Sequence, residues 1–565
     1  MTDPAPVNDF FTISSGYSQL WKSATLSGEL RRWARHWPHR TAVVDPQERL
    51  TFAALDGAAD RIAAGLARIG LRRGDRVVVQ LPNRADFLRV WFGLQRLGAV
   101  PVHAMPAHRR DEIVHLAATS GASALVVADR QGSFDLREMA DQVGRTLRER
   151  GLAPPTVIVA GKAGTPHRVS LADLDEELDH GPVPAPGPGR RLLPVEGPDP
   201  DDPDGPAPGD LALLLISGGT TGRPKLIPRS HTDYLLTAEL GAAAADVGPD
   251  TVYLAVLPIG FNFTLACPGV LGTLASGGTV VLAPDPSPAT AFALIETEGV
   301  THTALTPALV PHWLAEAQTW PEALHSLRVV QVGGARLPDE LARVAGPALG
   351  ARIQQVYGMA EGLICYTALD DEPELIATTQ GRPSCPEDDL LIVDPASGAP
   401  VPDGQAGELL VRGPYTLSAY YNGPVPDPAF TPDGYYRSGD LVRRLPTGHV
   451  VVVGRVKDQI NRGGEKYAAI EIEDHLLDLP GIRAVAIVGI PDQDWGEAAV
   501  AVLVHDGPAP SVRALATHLR ERGLAAYKAP QQVHSISRLP LTPVGKVDKQ
   551  ALRALLTSVP KGHHR

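Results

Sequence analysis

Residues 217–225 read Ser-Gly-Gly-Thr-Thr-Gly-Arg-Pro-Lys, which puts three glycines, three hydroxyl side chains and two cations into nine positions. A polyphosphate is held by closely approaching backbone N–H groups, hydroxyl donors and positive charge, and this segment offers all three. Ser217, Gly218, Gly219, Thr220, Thr221 and Gly222 are the candidate phosphate contacts, with Arg223 and Lys225 as the cations. The preceding Leu-Ala-Leu-Leu-Leu-Ile at 211–216 is an apolar run of strand length, so a buried strand leads into the loop. A Walker A pattern, Gly-x-x-x-x-Gly-Lys-Ser/Thr, cannot be laid over it.

The nonapeptide resembles the phosphate loop of the adenylate-forming superfamily of acyl-CoA synthetases, peptide-synthetase adenylation domains and luciferases. Four further motifs follow in that superfamily's order: Tyr357-Gly-Met-Ala-Glu361, Tyr436-Arg-Ser-Gly-Asp440, Gly454-Arg-Val-Lys-Asp458 and Pro540-Leu-Thr-Pro-Val-Gly-Lys546. Within it, Gln354-Gln-Val-Tyr-Gly-Met-Ala-Glu-Gly362 and Lys457-Asp-Gln-Ile-Asn-Arg-Gly-Gly-Glu-Lys466 resemble the free-standing 2,3-dihydroxybenzoate and salicylate AMP ligases of siderophore pathways. The resemblance runs from about residue 10 to about residue 556.

It implies an ATP- and Mg²⁺-dependent ligase that turns an acid and ATP into acyl-AMP and pyrophosphate, then passes the acyl group to a thiol. A carboxylate attacking the α-phosphorus must overcome anion repulsion, so catalysis is mainly positioning and cationic stabilisation. By resemblance, Lys546 bridges the carboxylate and the α-phosphate in the adenylating arrangement, and Lys225 and Glu361 complete the catalytic set. Glu361 would hold Mg²⁺, which favours one or two carboxylates plus phosphate oxygens and waters. A second reading makes it a helix-N-terminal Glu favoured by the dipole. Asp440, expected in a loop, would take the ribose hydroxyls with Arg455 in support. Gly333, Gly334, Ala335, Val356, Tyr357 and Gly358 would form the adenine slot, with glycines admitting the base and the tyrosine ring stacking on it. Lys457 would be the hinge of a mobile lid. The glycines at 463 and 464 would line a pantetheine tunnel after lid rotation, or make a plain turn.

Asn262, Phe263, Cys267 and Ile364 match the family's acid-binding positions. An amide offers both donor and acceptor, so Asn262 could read an ortho hydroxyl or an ortho amine. Cys267 stands where dihydroxybenzoate enzymes carry Ser; a thiol bonds weakly, so a 3-hydroxyl loses a partner. That loss is worth about 1–3 kcal/mol, enough to favour salicylate over 2,3-dihydroxybenzoate. Ile364 stands where the family has Val or Leu, and its added methylene relative to Val narrows the pocket. The family's His-Asn-Tyr-Pro is Phe261-Asn262-Phe263-Thr264 here, a departure that makes the entrance more apolar and relaxes the loop. It reads either as a shift toward a methylsalicylate or anthranilate, or as a neutral aromatic swap.

These side chains need an α/β scaffold. Arg76-Val-Val-Val-Gln80, Ala124-Leu-Val-Val-Ala128, Thr156-Val-Ile-Val-Ala160 and Thr279-Val-Val-Leu-Ala283 read as buried strands, and residues 84–97 carry helical periodicity. Residues 181–209, crowded with Pro, Gly and Asp, read as a surface loop or linker. Residues 448–454 read as a closing hairpin, and two alternating runs at 484–489 and 498–504 suit a small α+β domain. The expected division is a core domain over 1–456 and a lid over 457–565.

At 565 residues more than one domain is required. No stretch of 18 apolar residues suggests a membrane span, the N-terminus lacks the pattern of a secretory signal, and three cysteines without a Cys-x-x-Cys pair suit reduced thiols in the cytoplasm. A formal net charge of −12 argues against general nucleic-acid binding. The 18 histidines, including the pair at 563–564, show no metal spacing. Two acceptors are open, a phosphopantetheine arm on a separate carrier protein and free coenzyme A, and a further alternative is a silent relative that only binds nucleotide or acyl-adenylate.

Overall fold

The computed structural model describes residues 20, 22–176, 205–217, 224–462, 465–492, 496–542 and 545–558. Most of the linker segment, the phosphate-loop residues Gly218, Gly219, Thr220, Thr221, Gly222 and Arg223, the glycines at 463–464 and both chain ends lie outside them.

Two large sheets form from runs of Val, Leu, Ile and Ala buried on both faces, the composition of parallel strands covered by helices. Among the described residues, the seven-stranded sheet has the order Leu226–Ser230, Leu211–Ile216, Val100–His103, Arg76–Gln80, Ala124–Ala128, Thr156–Ala160, Val169–Ser170. All of it is parallel except Leu226–Ser230, which folds back antiparallel on Leu211–Ile216 across the phosphate loop. The nine-stranded sheet contains Arg352–Gly358, Val329–Gly333, His302–Leu305, Val252–Ala255, Thr279–Leu282 and Thr41–Val44 as consecutive parallel neighbours. The strands read from the sequence fall in these two sheets within a residue, and helix Ala85–Leu97 begins after an Arg84 N-cap.

An antiparallel four-stranded sheet follows, Asp389–Val393, Gly407–Arg412, Tyr436–Arg444 and Val450–Arg455. The expected hairpin at 448–454 is its last edge. Asp440, expected in a loop, lies within a strand, where Gly439 takes a φ of +68° beside a register shift. After a short 3₁₀ turn, Val456–Asp458, the chain forms a smaller C-terminal domain around a five-stranded sheet. Its two apolar layers are its own: Ile472, Leu476, Ile487 and Leu515 on one face, Val488, Val500 and Leu552 on the other. The architecture is thus α/β, with a large N-terminal and a small C-terminal domain.

Candidate active site

Parallel strands leave a crevice beyond their carboxyl ends. Here a cavity of ≈ 570 Å³ opens where Leu211–Ile216 and Arg352–Gly358 end, roofed by Tyr436–Asp440 of the four-stranded sheet and by Lys546 from the lid. The base of the phosphate loop is clipped shut: the Ser217 N–H donates to the Lys225 carbonyl (2.9 Å) and the Lys225 N–H to Ser217 Oγ (3.0 Å). Lys225 Nζ stands 4.1 Å from the centre of the Tyr420 ring and 3.4 Å from Asp427 Oδ2.

Asp440 is buried, with both carboxylate oxygens engaged. Arg455 Nε lies 2.7 Å from Oδ1, and the Tyr357 hydroxyl donates to Oδ2 at 2.8 Å. Tyr357 is thereby tied by its hydroxyl to the proposed ribose acceptor. Gly334, Val356 and Gly358 face the cavity. Gly334 sits at φ +85° with nothing closer than 3.8 Å to a would-be Cβ, whereas a Cβ on Gly333 would meet the Phe263 ring at 2.9 Å. Gly333 therefore makes room for the Phe263 ring. Ala335 is exposed beyond them.

Glu361 lies in a turn between Arg352–Gly358 and Ile364–Tyr366, which removes the helix-N-terminal reading. A Cβ on Gly362 would meet Thr416 Oγ1 at 2.6 Å, so the chain is pressed into this turn. The Tyr420 hydroxyl donates to Glu361 Oε1 (3.0 Å) and stands 3.0 Å from the Tyr436 hydroxyl. Burial raises the Glu361 pKa above the usual carboxylate range. No group of three or more His, Cys, Asp or Glu suited to a metal occurs among the described residues. Glu361 faces the cavity and fits a Mg²⁺ that would draw its other ligands from phosphates and water.

Lys546 rises from a tight turn in which the Thr542 N–H donates to the Lys546 carbonyl (2.7 Å) and Gly545 adopts φ +78°. Its pKa is lowered, first by burial and then by repulsion from Arg455, against the pull of Asp440 and Glu361. The lid lysine and the core carboxylates thus face one cavity. Lys457 lines its mouth, its pKa lowered by burial and by Arg455.

At the far end stand Asn262, Phe263, Cys267 and Ile364. Phe261 and Phe263 pack edge to face with centroids 6.5 Å apart. Residues 263–267 are buried, and Asn262–Ala266 form a short helix. The expected relaxation at Thr264 does not occur: a Cβ on Gly269 would lie 1.8 Å from the Thr264 carbonyl, so backbone is packed on backbone. Burial pushes the Cys267 thiol up to about 12, leaving it a protonated, inert group.

Several supports lie outside the motifs read from the sequence. The Tyr234 hydroxyl donates to Asn262 Oδ1 at 3.0 Å. Trp91 Nε1 donates to His103 Nε2 (3.0 Å), which leaves the His103 Nδ1–H for the Gly260 carbonyl (3.0 Å). Burial lowers His103 to about 4, so this strut is neutral. Asn83 accepts from the Ile259 N–H (2.8 Å) and donates to the Ala255 and Leu257 carbonyls (2.9 Å each). Arg229, fully buried, pairs with Asp233 (2.5 Å) and donates to the Ala360 carbonyl (3.2 Å), joining the acid pocket to the Glu361 turn. Of these, only the Arg229/Asp233 spacing and the Ser230/Asp233 capping box were readable as local patterns.

Known proteins resemble this chain over most of its length. Residues 30–421 match the AMP-binding enzyme family and residues 471–546 the AMP-binding enzyme C-terminal domain. A salicyl-AMP ligase / salicyl-S-ArCP synthetase of Mycobacterium tuberculosis (strain ATCC 25618 / H37Rv) is 47% identical over 548 residues, 95% of this chain and 91% of that protein. A salicylyl-CoA synthase / salicylate adenylyltransferase of a Streptomyces species is 45% identical over 536 residues, 94% of each. The apo structure of MbtA from Mycobacterium smegmatis superposes with a TM-score of 0.71 at 44% identity, covering 97% of this chain and 98% of that one.

Proposed function

The chain belongs to the AMP-binding enzyme family, and from that premise we propose that it is an aryl-acid ligase acting on a salicylate-type, ortho-substituted benzoate. The observation that carries the proposal is the single cavity shared by Lys546, Glu361, the Asp440–Arg455 pair and the Asn262–Cys267 pocket. In the first step a carboxylate oxygen of the acid bonds to the α-phosphorus of ATP while the bond to the β-phosphate oxygen breaks and pyrophosphate leaves. Lys546 offsets charge on the acid and the α-phosphate, Lys225 and the loop at 217–225 hold the leaving phosphates, and Asp440 with Arg455 fixes the ribose. Mg²⁺ belongs to the proposal, held by Glu361 and phosphate oxygens, and would neutralise charge on the pyrophosphate. In the second step a thiol sulfur bonds to the acyl carbon, AMP leaves and the thiol proton is released.

The acceptor we favour is the phosphopantetheine arm of a separate carrier protein, consistent with the aryl carrier protein named for the M. tuberculosis relative. Free coenzyme A is the second reading, favoured by the name of the Streptomyces relative. The same reading sets the domain boundary between residues 456 and 457, with Lys457 as hinge. Among the described residues no helix is long and apolar enough to cross a membrane, and all three cysteines are buried and free; the cytoplasm is the proposed compartment. Incubation with ATP, salicylate and either a holo aryl carrier domain or coenzyme A, followed by mass spectrometry, separates the acceptors. Loading of the carrier well ahead of coenzyme A supports the first; salicylyl-CoA formation alone overturns it.

A further inference from the structure

We propose that Tyr234 is a positioning residue which locks the Asn262 side-chain amide with its nitrogen toward the bound acid, so that the pocket selects an ortho hydroxyl over an ortho amine. The inference rests on the aryl-acid reading of the cavity and deepens it. The sequence left Asn262 able to read either substituent, because an amide can donate or accept. Its neighbours remove that freedom.

Tyr234 is completely buried on helix His231–Ala244, whose start is fixed by the reciprocal Ser230/Asp233 capping bonds, and the Arg229 guanidinium lies 5.1 Å from its ring centre. Its one proton goes to Asn262 Oδ1 at 3.0 Å. On the other side, Cys267 Sγ lies 3.5 Å from the Asn262 backbone carbonyl and 3.7 Å from Asn262 Nδ2. A thiol has one proton; given to the carbonyl, it leaves the sulfur lone pairs facing the amide nitrogen. Every proton then has an acceptor except the amide N–H left for the cavity. A half-turn of the amide would set Oδ1 against the sulfur lone pairs and leave the phenol proton without an acceptor in a buried site, which is the costly alternative. Burial keeps the thiol protonated, as this arrangement needs.

Locked this way, the amide offers the cavity only an N–H. A phenolic oxygen accepts it while its own proton closes onto the acid's carboxylate. An aniline nitrogen, its lone pair drawn into the ring, presents N–H to N–H. The pocket is therefore a donor-only reader of the ortho position.

Tyr234→Phe keeps the ring beneath Arg229 and deletes the proton. With salicylate, anthranilate and benzoate in pyrophosphate exchange, the wild type is expected to favour salicylate. In the variant the salicylate-to-anthranilate ratio of kcat/KM should fall about ten-fold, mostly through the salicylate KM, as for one lost buried hydrogen bond. The salicylate-to-benzoate ratio should fall with it, because benzoate has no ortho group to report the amide. Cys267→Ala should move both ratios the same way, and Cys267→Ser should restore them. Equal loss for all three acids marks Tyr234 as ring packing and overturns the lock, as does an unchanged ratio. A wild type that favours anthranilate overturns the lock directly while leaving the aryl-acid reading intact. Absence of exchange with every aryl acid overturns the functional reading and the lock with it.

Discussion

Lys546 depends on a turn rather than on a helix or strand, and it lines the cavity from the C-terminal domain. Lys546→Ala is expected to abolish adenylation while thioester formation from preformed salicyl-AMP is largely kept; loss of both to the same degree would remove its assigned role. Its titration has a definite sign. Burial and Arg455 lower its pKa in the cavity, so the ammonium proposed for adenylation is lost there at a lower pH than in a free lysine. The adenylation rate should therefore fall on the alkaline side below the pH at which an ordinary lysine titrates. Arg455→Met should move that limb upward by removing a repelling charge, whatever it does to ATP affinity. For Cys267→Ser the expectation is a several-fold rise in turnover of 2,3-dihydroxybenzoate relative to salicylate, on the order of one recovered hydrogen bond. Asn262, Cys267, Glu361 and Lys546 were legible because their motifs surround them. Tyr234 and His103 were not: each lies on a regular element among apolar residues, where such a side chain reads as core, and their partners Asn262 and Gly260 are 28 and 157 residues away.

Between the nine-stranded and four-stranded sheets, the connection from Arg382–Pro383 to Asp389–Val393 carries Asp388, whose Oδ2 accepts from the Tyr415 hydroxyl at 2.5 Å. Its Oδ1 has no partner among the described residues, and burial pushes the carboxyl up to about 7. A raised pKa means that the native state binds the proton more tightly than the unfolded chain. The resulting stability is fully present below the unfolded value and is lost as pH rises through about 7. Asp388→Asn should flatten the decline of Tm between about pH 4 and 7; an unchanged slope would place the titrating group elsewhere. At this scale the sequence was most readable where strands are buried on both faces, as in Arg76–Gln80 and Ala124–Ala128. It was least readable where glycines bend the chain. Asp440 belongs to a strand distorted at Gly439, and Glu361 to a turn enforced by Gly362 against Thr416, neither of which a hydrophobic period registers.

In the whole molecule, the two domains have separate apolar cores and meet over the cavity partly through charge. Arg336 of the core pairs with Asp474 of the lid and with Asp339 beside it (2.7 Å). Arg336→Gln should slow adenylation about two- to five-fold, the worth of a partly exposed ion pair, with less effect on thioester transfer. Equal slowing of both steps would show that this pair does not favour the adenylating arrangement. That a small C-terminal domain exists was evident from its own alternating strands. Where it sits was not, because the docking is made by scattered polar residues such as Arg336 and Thr306, the latter with Oγ1 3.5 Å from where a Cβ on Gly545 would be. The molecule is thus expected to join an ortho-substituted benzoate to the α-phosphate of ATP within one cavity. The most direct test is ATP–pyrophosphate exchange across salicylate, 6-methylsalicylate, anthranilate, 2,3-dihydroxybenzoate, benzoate, a fatty acid and several amino acids. Exchange led by salicylate or its 6-methyl derivative is the predicted result; exchange driven only by a fatty acid or an amino acid would contradict it.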